Sequence, residues 1–130
     1  MKKYISWNQF QIMAESLEKK INHSKKEFDG IYGIPRGGLV LGVCLSHRLS
    51  LPLLEKPETN ILIVDDISDM GNTLQNYKFG KYRNCTIATL YSTTWTKVIP
   101  DFFVNYKKSQ DEWLVFPWEN LNEKEEKDNL

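Results

Sequence analysis

The chain has 130 residues, 41% of them hydrophobic and 26% charged, with 17 basic side chains balanced by 17 acidic ones. That length suits one domain around one core, and the charge balance leaves no field to recruit nucleic acid or an anionic membrane. No apolar run approaches the ~20 residues of a membrane span, and the start turns polar too soon for a signal peptide. A cytoplasmic protein is therefore expected.

In chain order, Ser6 and Gln9 have capping-box spacing. Phe10, Met13, Ala14, Leu17 and Ile21 then recur at helical intervals, predicting an amphipathic helix from about Trp7 to Asn22. Phe28 to Ile34 reads as a strand that ends in the turn Pro35-Arg36-Gly37-Gly38. Leu39 to Leu49 suits a helix, stopped by Ser50-Leu51-Pro52. Ile61 to Val64 is continuously apolar, as in a central strand covered on both faces, and adjacent aspartates are expected to end it.

After a loop from Asp65 to Gly71, a helix is expected from Asn72 to about Tyr82, followed by a strand over Thr86 to Tyr91. Short strands are also expected at Asp101 to Val104 and Trp113 to Phe116. The alternation predicts an α/β fold: a doubly wound, mostly parallel sheet flanked by helices, with a small C-terminal lobe. Residues 1–118 would form the domain, and the charged stretch 119–130 a flexible tail. Cys44 and Cys85 lack metal-site spacing and read as buried free thiols. His23 and His47 read as surface residues.

Ligands of such sheets bind beyond the carboxyl ends of the strands, where both glycine-containing loops fall. In the second loop, successive amides at a helix start, with Ser68, Asn72 and Thr73 nearby, make a cradle for phosphate. Gly71 permits close approach of the backbone. Phosphate alone would not call for Asp65, Asp66 and Asp69. Those carboxylates fit a ligand that also presents hydroxyls or a hard cation such as Mg²⁺.

The run Val64-Asp65-Asp66-Ile67-Ser68-Asp69-Met70-Gly71-Asn72-Thr73-Leu74 resembles the signature of the type I phosphoribosyltransferases, which bind 5-phosphoribosyl 1-pyrophosphate (PRPP). The closest resemblance is to the bacterial xanthine-guanine enzymes. It extends through Tyr4 to Trp7, Ile34 to Leu49 and Trp113 to Glu119. The resemblance implies that Asp65 and Asp66 hold the ribose hydroxyls and Mg²⁺. Ser68, Asp69, Met70, Gly71, Asn72 and Thr73 would wrap the 5′-phosphate. Asp69 would exchange a proton with a ring nitrogen of the base. The turn Pro35, Arg36, Gly37 and Gly38 would hold pyrophosphate, with Arg36 assisting its departure, and Ile67, Thr93, Lys97, Trp113 and Leu114 would form the base pocket.

These assignments imply transfer of ribose 5-phosphate from PRPP to a nucleobase, here a 6-oxopurine, by a homodimer or homotetramer. Three departures leave alternatives open. Met70 replaces the family's usual hydroxyl residue, and Thr93 stands where purine enzymes carry a lysine. Only Leu51 to Asn60 occupies the place of a longer hood. A non-catalytic PRPP- or nucleotide-binding module, or transfer to a pyrimidine or modified base, fits the same residues.

Overall fold

The computed structural model describes residues 1–82 and 85–119. The tail expected over 119–130 thus lies, beyond Glu119, outside the described residues. The first helix, α1, runs from Trp7 to Ser24. Its capping box is formed as the spacing predicts: Gln9 N donates to Ser6 Oγ (3.0 Å) and Ser6 N to Gln9 Oε1 (2.8 Å). Its five predicted apolar positions are all buried. The helix passes Asn22 by two residues and stops where Lys25 turns left-handed (φ 61°).

The main sheet contains four parallel strands. They are β2 (Ile31–Gly33), β3 (Leu62–Ser68), β4 (Thr86–Ser92) and β5 (Asn105–Tyr106), adjacent in that order. Helix α2 (Leu39–Leu49) crosses from β2 to β3, and α3 (Asn72–Lys78) from β3 to β4. Leu62, Val64, Ala88 and Leu90 join the cluster with α1 and α2, whereas Ile63 and Ile87 pack with Leu74 of α3 and Val98. Apolar residues on both faces explain why this part of β3 reads as an unbroken apolar run.

Other boundaries also differ from expectation. Strand β3 does not stop at Asp65: Asp65 pairs with Thr89, Ile67 with Tyr91 and Ser68 with Ser92. A long partner in β4 keeps the ladder going into the polar residues. Helix α3 ends at Lys78, short of Tyr82, and β2 begins at Ile31 rather than Phe28. Asp101 to Val104 makes only one bridge, Phe102 to Ala88, because Asp101 Oδ2 takes the Ile87 amide (2.8 Å). The pairing that forms β5 comes later, at Asn105–Tyr106.

A second sheet contains β1 (Lys2–Tyr4) and β6 (Trp113–Val115) in parallel register, Lys2 opposite Trp113 and Tyr4 opposite Val115. The expected C-terminal lobe is thus built with the start of the chain. Residues 51–60 are tied to the edge of β2: Ile31 N donates to Pro52 O (2.9 Å) and Leu54 N to Ile31 O (2.8 Å). His23 and His47 are exposed, and Cys85 is buried while Cys44 is partly so. No helix among the described residues is long and apolar enough to cross a membrane.

Candidate active site

The carboxyl ends of β2 and β3 open onto a cavity of about 630 Å³ whose walls include Pro35, Arg36, Gly37, Asp65, Asp66 and Trp118. The glycine turn is folded directly onto the end of β3. Ile34 N donates to Val64 O (2.9 Å), Gly38 N donates to Ile34 O (2.7 Å), and the Pro35–Arg36 peptide is cis. A Cβ on Gly37 would stand 2.5 Å from Asp66 Oδ2, so this glycine lets the turn lie against the carboxylate.

Asp65 is 9% exposed and carries its carboxyl into this wall. Asp65 Oδ1 accepts the Asp66 amide (2.9 Å), and Asp66 Oδ1 accepts the Ile67 amide (2.8 Å). The Asp66 and Ile67 amides are thus taken by the aspartates themselves. Burial, reinforced by the neighbouring Asp66, pushes the Asp65 carboxyl up to about 8. Burial raises Asp66 as well. Among the described residues, no basic side chain forms an ion pair with either. A buried and a partly buried carboxylate side by side, with no basic side chain to neutralise them among the described residues, fit a divalent metal and sugar hydroxyls better than a structural role.

Beyond β3, residues 67–74 line a second cavity of about 250 Å³. Gly71 has φ 85°, and a Cβ there would meet Thr96 Oγ1 at 2.6 Å. The segment after β4 buttresses this loop, with Lys97 N donating to Met70 O (3.0 Å). The Ser68 hydroxyl was expected to face a phosphate. It is instead 1% exposed, donating to Val98 O (2.7 Å) and bonded to Thr96 Oγ1 (2.7 Å). Asn72 and Thr73 stay exposed.

Asp69 is held by three donors. Thr93 Oγ1 donates to its carbonyl (2.6 Å), Trp95 Nε1 to Oδ1 (3.2 Å) and Lys107 Nζ to Oδ2 (2.7 Å). Trp95 and Lys107 had no signal in the sequence, because only the alignment of β5 beside Ser92 brings Lys107 here. Thr93 is 2% exposed, its hydroxyl turned to the Asp69 carbonyl, and the Lys97 ammonium turns to Asn72 Oδ1 (2.8 Å). Trp113 is 61% exposed under the Lys2 ammonium (4.8 Å) and Leu114 is buried in the main core. Trp118 stacks on Phe116 (5.1 Å) and also lines the larger cavity.

The fold recurs in a known protein. The chain is 32% identical to the purine phosphoribosyltransferase of Pyrococcus horikoshii Ot3, across 91% of this chain and 93% of that one, with a TM-score of 0.73. The chain belongs to the type I phosphoribosyltransferase family. A xanthine-guanine-hypoxanthine phosphoribosyltransferase from Helicobacter pylori shares the fold of this phosphoribosyltransferase at 20% identity and a TM-score of 0.81, covering 98% of this chain and 99% of that one. The xanthine-guanine phosphoribosyltransferase of Desulfotalea psychrophila is 28% identical, covering 88% of this chain and 84% of its own. No family model matches the sequence.

Proposed function

We propose that this phosphoribosyltransferase moves ribose 5-phosphate from PRPP to a ring nitrogen of a 6-oxopurine. The observation that carries this reading is the adjacent pair of buried Asp65 and partly buried Asp66, without an ion-paired basic side chain among the described residues, lining one cavity with the Arg36 turn. In the reaction, a bond forms between C1′ and the ring nitrogen while the bond from C1′ to pyrophosphate oxygen breaks. The electron pair leaves with pyrophosphate, and the ring proton passes to Asp69. Arg36 and the amides of the turn meet charge that grows on the leaving group, so they favour the transition state over the ground state.

Asp65 and Asp66 would hold the ribose hydroxyls and Mg²⁺, and the metal would supply charge neutralisation for pyrophosphate. Residues 69–73 would receive the 5′-phosphate, with Met70 contributing only its backbone. Thr93 and Ile67 would border the base, and the protein would act in the cytoplasm as a homodimer or homotetramer.

A pyrophosphate-release assay with Mg²⁺-PRPP across guanine, hypoxanthine, xanthine, adenine and uracil tests the reading. Release with the oxopurines, lost on adding EDTA, is expected. Calorimetric binding of Mg²⁺-PRPP with no release on any base would show a binding module instead. Asp69→Asn is expected to lower kcat about 100-fold, within the range for a lost acid-base group. The Kd for PRPP should change less than threefold. A comparable loss of PRPP affinity would contradict the role given to Asp69.

A further inference from the structure

Asp69 is held more firmly than a loop carboxylate requires. Lys107 is only 11% exposed at its side chain, and its bond to Asp69 Oδ2 is 2.7 Å. Its position is set by the sheet: β5 pairs Tyr106 with Ser92, and Lys107 N donates to Ser92 O (2.9 Å). Trp95 fixes the other carboxylate oxygen and Thr93 the carbonyl of the same residue. The three donors come from the loop after β4 and from the residue after β5, so they converge on Asp69 from outside its own loop. An ammonium on one oxygen and an indole N–H on the other leave the carboxylate one orientation.

We infer that Lys107 is a positioning residue for transfer. By clamping Asp69 Oδ2 it keeps the carboxylate aimed at the ring nitrogen, with Trp95 as the second jaw. The inference rests on the acid-base role given to Asp69 above. Misplacing a reacting group by about 1 Å can cost on the order of 100-fold in rate, so losing one of the two jaws should be visible in kcat.

The test is a double-mutant cycle on pyrophosphate release with guanine, combined with calorimetry of Mg²⁺-PRPP and thermal melting. Lys107→Met is expected to lower kcat about tenfold with the Kd for PRPP unchanged, Lys107→Arg to recover most of that loss, and Trp95→Phe to cost a few-fold. In the Asp69→Asn background, Lys107→Met should have no further effect on kcat, because residues acting through one group are non-additive. Full additivity in that background, or unaltered kcat in Lys107→Met, overturns the clamp. If Lys107→Met fails to fold, Trp95→Phe and Lys107→Arg decide it: wild-type kcat in Trp95→Phe, or a PRPP affinity lost together with kcat in Lys107→Arg, also overturns it. Wild-type protein that releases no pyrophosphate refutes transfer itself, a different failure from active protein indifferent to Lys107.

Discussion

Asp65→Asn is expected to make the unliganded protein more stable above pH 8 while removing most of its affinity for Mg²⁺-PRPP. The carboxyl titrates near 8 when folded against an ordinary 3.8, chiefly because burial disfavours its charge. Below 3.8 both states hold the proton and burial costs nothing in charge. Between 3.8 and 8 the unfolded chain has released a proton that the folded protein retains, so stability falls with rising pH and the full penalty is reached above 8. Asparagine mimics the neutral form at every pH. Allowing for relaxation of the pair, its gain at pH 9 should be on the order of 1–3 kcal/mol, or several degrees in Tm, and should vanish near pH 4.

Melting curves across that range, with calorimetry at each pH, check both halves of this expectation. A Tm gain independent of pH would sink the electrostatic explanation. Wild-type affinity for Mg²⁺-PRPP should rise from pH 6 to 8, since a neutral Asp65 holds a metal poorly.

The second large effect concerns the turn. Gly38 has ordinary helical angles (φ −87°, ψ −3°), so its need for glycine is steric rather than conformational. A Cβ would stand 2.3 Å from Val64 O, 2.8 Å from Ile34 N and 3.0 Å from Asp65 Cα. All three are backbone atoms that cannot turn aside. Gly38→Ala should therefore lift the turn off β3, costing about 3 kcal/mol in urea unfolding and most of the transferase activity. Gly30→Ala is the control. There the two nearest atoms belong to the Leu54 side chain (2.8 and 2.9 Å), which can rotate, and the nearest backbone atom, Pro52 O, stands at 3.1 Å, so the loss should be smaller, about 1 kcal/mol. Equal losses at both positions would remove the argument from backbone contact.

Much of the architecture was legible because its signals are local. The capping box at Ser6, the helical period of α1 and the apolar run of β3 each depend on residues within a turn or two of one another. The carboxylates were legible for the same reason, lying side by side after that run. What escaped detection depends on distance in sequence. Strand β1 is exposed along its length and carries no pattern, and its partner β6 lies more than a hundred residues away. The end of β3 was misplaced because Asp65 and Asp66 look like turn residues until β4 is seen to pair beyond them. Lys97 was the nearest lysine in sequence to the proposed base site, yet Lys107 reaches Asp69, since sheet register rather than chain proximity decides the approach.

The two-stranded sheet of β1 and β6 has a consequence for one wall of the site. Zipping it shut joins segments separated by most of the chain, so it carries a large loop-closure cost relative to its few hydrogen bonds. What holds it shut is therefore apolar: Leu114 and the following Phe116 sink into the main core cluster. Trp118 and Glu119 follow directly on β6 and wall the larger cavity. The clasp thus ties the first residues of the chain to one wall of the cavity whose other walls carry the carboxylates.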